Sequence, residues 1–376
     1  MEIMNNWNQF LTAQGARSAT LDGTPDSSAV LTGVATTAAP IADFGQSLSV
    51  SQLQEGFVAA ITDQGLIGLS GDDAASFLHA QLTNDVEHLS QEQVRLAGYC
   101  TPKGRLLASF LMWRNATTIY LQLPRSIQPA IQKRLQMFVL RAKAKLHDAC
   151  ADEANQVILG LGGTQAGAAL STWFSSLPAT PFSKVEHALG TLLRVADACG
   201  SARYEWLTSA ATACEVWPQL AASLHKGGND SWRLSEIHAG IAQITAATQE
   251  QFVPQMVNFE LLGGVNFKKG CYPGQEIVAR SQYLGKLKRR TTLVSIDDAA
   301  AVAGGELFAV SDPEQPCGML VNTAPNGNGG IDALVEMKLG AIAEGSSAAG
   351  AVRYGSAQGV SVHFLPMPYA LDALDL

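Results

Sequence analysis

The spacing of apolar and polar positions predicts two α+β units followed by a run of short strands. From position 66 the chain reads as a strand (66–69), a helix (74–82), strands at 94–100, 105–113 and 118–123, a helix at 126–140 and a last strand near Lys145. Phe77, Leu78 and Leu82 share one face of the first helix, Asp72 or Asp73 is placed to cap it, and Pro102-Lys103-Gly104 is a turn between strands. This order of elements is that of a ferredoxin-like layer. A similar grammar restarts at Gln156, with strands at 156–160, 191–196 and 204–208 and helices at 165–174, 211–224 and 232–242. Past Arg290, short apolar runs at 292–296, 307–310, 318–322, 331–335 and 360–364 are separated by Gly, Asn, Asp and Pro. They predict a small antiparallel β-barrel.

The fold class is therefore α+β. The expected domains are 66–148, a ferredoxin-like unit; 51–65 with 149–285, a second α+β unit; and 286–376, the barrel. Residues 1–50, rich in Ala, Ser, Thr and Gly, read as a flexible extension with a short helix around 7–13. The Gly160-x-Gly162-Gly163 run lacks the full dinucleotide-binding spacing and reads as a tight strand-to-helix turn.

Charge changes this picture in one place. A net charge of −8 argues against a surface that coats nucleic acid. Yet residues 268–290 hold seven cations, Lys268, Lys269, Arg280, Lys286, Lys288, Arg289 and Arg290, against the single acid Glu276. That stretch is a basic patch for an anionic ligand or RNA phosphates, or a solvated linker. The six cysteines are scattered without a CxxC pair or metal-ligand spacing, so a reduced, cytoplasmic protein with no stable metal site is expected. The first residues lack the charged start and apolar run of a secretory leader, and no stretch approaches the ~20 apolar residues of a membrane span. Nothing demands more than a monomer.

The candidate chemistry lies at Lys268-Lys269-Gly270-Cys271-Tyr272-Pro273-Gly274-Gln275-Glu276-Ile277-Val278-Ala279-Arg280. A cysteine beside two lysines has neighbours that favour its thiolate. Tyr272-Pro273-Gly274-Gln275 carries proline and glycine at the central positions of a type II turn, and Glu276 falls in the first turn of a following helix. Cys271 is thus a candidate nucleophile, redox thiol or transient metal ligand.

Lys269, Gly270, Cys271, Tyr272, Gly274, Gln275 and Glu276 resemble the signature of the YgfZ-type folate-binding proteins, which are similar in architecture to the T-protein of the glycine cleavage system. Pro273 departs from it, since relatives more often carry Thr or Val there. The resemblance runs from about Gln64 to Tyr369. It implies a T-protein-like three-domain arrangement of two ferredoxin-like α+β units and a C-terminal barrel, with tetrahydrofolate as ligand. It also implies iron-sulfur enzymes, tRNA-modifying ones among them, as clients. Trp232 aligns with a tryptophan used against folate, and Tyr272 and Arg280 are further candidates for holding it, Arg280 through the anionic tail. A second tryptophan of relatives falls near Gln64 here. The 251–256 stretch corresponds to a wall of a central opening. The aminomethyltransferase branch carries Glu where this chain has His238, and an acidic pair where it has Ala108 and Ser109. The resemblance therefore favours a folate-binding accessory protein over a folate-dependent aminomethyltransferase or other one-carbon transferase. A non-catalytic RNA or protein adaptor is the third reading, and whether substrate is turned over stays open.

Overall fold

The computed structural model describes residues 2–18, 39–283 and 287–371. Among them, five strands form an antiparallel sheet in the order Val94–Cys100, Leu106–Arg114, Thr118–Pro124, Gln64–Ser70 and Lys145–Asp148. Successive strand residues point to opposite faces, and here both faces are buried. Ile67, Ala97, Phe110 and Leu121 pack with helices Ala74–His79 and Gln128–Met137, while Leu66, Leu96 and Trp113 face a second core. Both helices are shorter than expected. Asp73 does not cap the first helix; its carboxylate accepts the Lys143 N–H at 2.7 Å.

The second described sheet runs Ser183–His187, Gly190–Ala198, Ser201–Thr208, Val157–Gly162, Phe57–Ile61 and His225–Gly227, the last pair parallel. Phe57–Ile61 and Ser183–His187 were not expected as strands. The first is a short run buried on every residue, which has no alternation to read. One face of this sheet carries Val58, Leu159 and Trp206 against helix Ala210–Ser223. The other carries Ala59, Leu193 and Leu207 against helix Asn229–His238.

The expectation of a loose N-terminal extension is corrected for the described part. Glu2–Ala13 is a helix whose Trp7 and Leu11, one turn apart, are buried, and the Trp7 ring meets Trp217 edge-on at 5.7 Å. Arg17–Ser18 pairs with Ile41–Asp43. The short helix expected around 7–13 is present and begins earlier, at Glu2.

Six described strands close the C-terminal barrel: Arg289–Ile296, Ile331–Lys338, Asp312–Pro325, Glu306–Ala309, Val352–Tyr354 and Val360–Leu365. The first pairs with the last, Leu293 opposite Leu365. Helix Leu339–Ser347 is an addition that the strand pattern did not show. Barrel residues Leu293, Val321 and Leu334 join the core shared by both sheets, so all three units meet there. No described helix is long and apolar enough to cross a membrane.

Candidate functional site

A cleft opens between the two α+β sheets. Ser109, Phe110, Leu111 and Gln122 line it from the first unit, and Val195, Arg203, Glu205 and Glu236 from the second. Gln243 and Phe259 complete its wall. The cleft is narrow, with a cavity volume of about 40 Å³.

Its polar groups converge from separate elements. Arg203 and Glu205 stand two apart on Ser201–Thr208, so both project to the same face. Glu236 comes from helix Asn229–His238 and Gln122 from Thr118–Pro124. Glu205 is 1% exposed, and its Oε2 has no hydrogen-bond partner; neither has Gln122 Oε1. Burial and the nearby Glu236 push the Glu205 carboxyl up to about 8, while Gln122 and Arg203 offset only part. Burial likewise raises Glu236 to about 7 against the pull of Arg203. The Arg203 guanidinium is fixed from three sides. It donates to Ala196 O and Ser235 Oγ, each at 2.9 Å, and lies 4.8 Å from the centre of the Trp232 ring. An arginine and a glutamate at alternate positions of an otherwise apolar strand were the readable signal for this cluster.

Trp232 does not line the cleft. Its indole is 1% exposed, wedged against Phe57 and Gly160 beneath Arg203. Gln64 sits just behind the wall, its Nε2 donating to Gln243 Oε1 at 3.1 Å. The barrel pins that wall in turn: Gln243 N–H donates to Asn322 Oδ1 and Asn322 Nδ2 to Gln243 O, both at 2.8 Å. Ser109 lines the cleft and accepts the Ile244 N–H at 3.0 Å, whereas Ala108 is buried in the core of the first unit. His238 faces the barrel, 2.7 Å from Asp332.

The signature residues are brought together outside the cleft. Gly274 has φ +81° and the Gln275 N–H donates to Tyr272 O at 3.2 Å, a type II turn that opens helix Gln275–Tyr283. Lys269 clamps this loop to the first unit: its ammonium donates to Leu82 O at 3.0 Å and to His79 O, and lies 4.9 Å from the Tyr272 ring centre. Burial lowers Lys269 to about 8 despite Asp85, Cys271 and Glu87. Tyr272 is buried, with its hydroxyl unpartnered. Cys271, Glu276 and Arg280 are exposed, and neither Cys271, Tyr272 nor Arg280 lines the cleft. The 251–256 stretch links the two regions. Leu106 N–H donates to Phe252 O, and Gln255 Nε2 to Val278 O, each at 2.8 Å.

The basic patch is smaller than its sequence. Arg289 forms a two-pronged pair with Glu336, one contact at 2.8 Å, and Arg290 is buried against Glu260 and Gln255 O. Lys268 and Lys288 are exposed, and Lys286 lies outside the described residues. Of these guanidiniums at the start of a barrel strand, Arg289 finds Glu336 on the neighbouring strand and Arg290 finds Glu260 on a loop outside the barrel, pairings that linear spacing does not reveal.

No protein-family model matches the chain. Among solved structures it is similar to the glycine cleavage system aminomethyltransferase T from Bartonella henselae, with a TM-score of 0.71 at 15% identity over 96% of each chain. An aspartate kinase from Synechocystis, with a TM-score of 0.20 at 9% identity over 80% of this chain and 42% of its own, is too distant to argue from. The fold is thus the T-protein arrangement of two ferredoxin-like α+β units and a closed antiparallel barrel.

Proposed function

We propose that the chain binds a reduced folate in the cleft between its α+β units and acts, like the YgfZ-type proteins its signature resembles, as an accessory protein to iron-sulfur enzymes. One observation carries the folate half. Glu205 Oε2 and Gln122 Oε1 are buried acceptors with no donor, on the wall of a narrow cleft. Such atoms cost about 1–3 kcal/mol each while unpaired. A flat heterocycle with N–H groups along one edge, as in the pterin ring of tetrahydrofolate, would supply both donors. Glu205 and Gln122 would hold that edge, with Phe182 and Phe259 as apolar surface. Bound folate supplies a carrier for a one-carbon unit.

Two features support an accessory role. The positions where aminomethyltransferases carry an acidic pair are Ala108 and Ser109, which offer no carboxylate. The exposed Cys271, away from the cleft, suits a thiol that acts on a client protein such as a tRNA-modifying iron-sulfur enzyme. A folate-dependent one-carbon transferase is the second reading, favoured by Glu236, a cleft carboxyl raised to about 7 where a general base works well. The RNA-adaptor reading weakens with Arg289 and Arg290 committed to ion pairs.

Calorimetry with tetrahydrofolate under reducing conditions tests the site. We expect micromolar binding that weakens tenfold or more in Glu205→Leu and survives in Cys271→Ala. Absence of binding by the wild type would overturn the folate half, and folate-dependent turnover of an aminomethyl or N-methyl donor would establish the second reading. For the client half, cells lacking the chain should lose iron-sulfur-dependent tRNA modification and regain it with wild type but not with Cys271→Ala.

A further inference from the structure

The end of helix Gln128–Met137 and the residues after it expose three large apolar side chains within four positions. Met137 is 60% exposed, Phe138 48% and Leu140 89%. Val139 between them turns the other way and packs, with Ala142 and Ala144, on the core of the first α+β unit. The backbone of this tip is held on both sides. Phe138 N–H donates to Leu135 O at 3.0 Å and Val139 N–H to Gln136 O at 3.2 Å. Lys143 N–H donates to the Asp73 carboxylate at 2.7 Å, and Asp73 N–H to Lys143 O at 3.2 Å. Met137, Phe138 and Leu140 therefore form a fixed projection. Contiguous apolar surface of this kind marks an interaction site, as scattered single residues do not.

Cations surround the tip. From Gln128 to His147 the chain carries Lys133, Arg134, Arg141, Lys143 and Lys145 and no acid, within a molecule of net charge −8. Arg134 is turned inward, 6.0 Å from the centre of the Tyr99 ring. The other four are exposed. Lys133 lies one helical turn before Met137 and shares its face, and Arg141 directly follows Leu140. The acids that meet them from the adjoining turn are Asp72, 3.5 Å from the Lys143 ammonium, and Asp73, already bonded to the Lys143 backbone.

We propose that this tip docks the protein on an anionic lipid surface, with Met137, Phe138 and Leu140 entering the headgroup layer and the cations beside them lying on lipid phosphates. A specific protein interface takes roughly 20–30 residues from each side, many more than this tip supplies. Leu140 projects almost wholly into water and lines no groove of its own, which suits a fluid acceptor that closes around each side chain. Lysine and arginine have long apolar stems, so their charges reach the phosphates while the stems lie beside the inserted residues. The attachment is superficial, in keeping with the lack of a membrane-crossing helix among the described residues. It also leaves the cleft open. The helix packs on the face of the first sheet that carries Ile67 and Leu121, whereas Leu111 and Gln122 line the cleft from the opposite face. Lipid docking stands whether or not that cleft takes a folate.

The test mixes the full chain with vesicles of phosphatidylcholine alone, or with about one-third phosphatidylglycerol, and reads the bound fraction after flotation. Attachment to the anionic vesicles should be about tenfold or more stronger than to the neutral ones, and should weaken as salt rises. Phe138→Ser together with Leu140→Ser should cut it about tenfold or more. Lys133→Gln together with Arg141→Gln should do the same, since each cation near an anionic surface adds roughly fivefold. All four positions are exposed, so unchanged urea midpoints should show that the variants fold. Insertion is read from Leu140→Trp, whose emission, compared with wild type, should shift to the blue on anionic vesicles and be quenched by brominated acyl chains. No attachment of the wild type to anionic vesicles would overturn the proposal, as would attachment indifferent to the Phe138 and Leu140 substitutions. Capture of polyglutamate or of single-stranded RNA without attachment to vesicles would assign the surface to an acidic protein or to nucleic acid, and either result overturns lipid docking.

Discussion

A Cβ added to Gly274 would lie 2.7 Å from the Gly104 Cα and 2.4 Å from the carbonyl oxygen of Thr101. The signature turn and the Pro102-Lys103-Gly104 turn thus meet backbone to backbone, and both glycines have positive φ. Gly274→Ala should destabilise the chain by about 1–3 kcal/mol from conformation alone, with the clash adding to it. Gly270→Ala, whose nearest contact would be His79 at 3.5 Å, should stay within about 0.5 kcal/mol of wild type. Urea denaturation of the two variants separates these outcomes.

Stability should fall as pH rises. Burial raises Glu205 from an unfolded value near 4.5 to about 8, so between those values the folded chain holds a proton that the unfolded chain has lost. The associated stability is fully present below about pH 4.5 and lost as pH climbs through about 8, on the order of 5 kcal/mol. Glu236, raised to about 7, acts in the same direction, as does His238, whose contribution is lost between 6.5 and about 9. The urea midpoint should therefore be lower at pH 8 than at pH 5, with a shallower slope in Glu205→Leu. A slope unchanged by that substitution would show that Glu205 is not the group responsible.

Arg290 and Lys288 are close in sequence and opposite in consequence. Arg290→Ala removes a buried guanidinium that pairs with Glu260 and donates to Gln255 O, and should cost about 2–3 kcal/mol. Lys288→Ala removes an exposed charge and should change stability by less than about 0.5 kcal/mol. Equal, small effects on thermal unfolding would mean that Arg290 belongs to the surface patch after all.

Trp232→Ala should cost about 3–5 kcal/mol, since it empties a fully packed site under Arg203 and against Phe57. Folate affinity in the same variant should change less than in Glu205→Leu. Calorimetry of the two side by side distinguishes support of the cleft from contact with a ligand.

Much of this architecture was legible before any coordinates. Apolar alternation placed the strands of the first sheet, half of those of the second and most of the barrel, because side-chain direction along a strand is fixed by backbone geometry alone. The turn at Tyr272-Pro273-Gly274-Gln275 was legible for the same reason: proline fixes one φ and glycine permits the other, whatever surrounds them. Periodicity names the face a residue occupies and leaves its partner unnamed. Glu205 meets Gln122 and Glu236 only because two sheets stack, and His238 meets Asp332 only because the barrel closes against a helix. Trp232 went into the core and Arg289 and Arg290 into ion pairs, outcomes that depend on neighbours distant along the chain. The sequence determined local conformation through short-range sterics. Burial, charge pairing and the cleft were decided by which surfaces the tertiary packing removed from water.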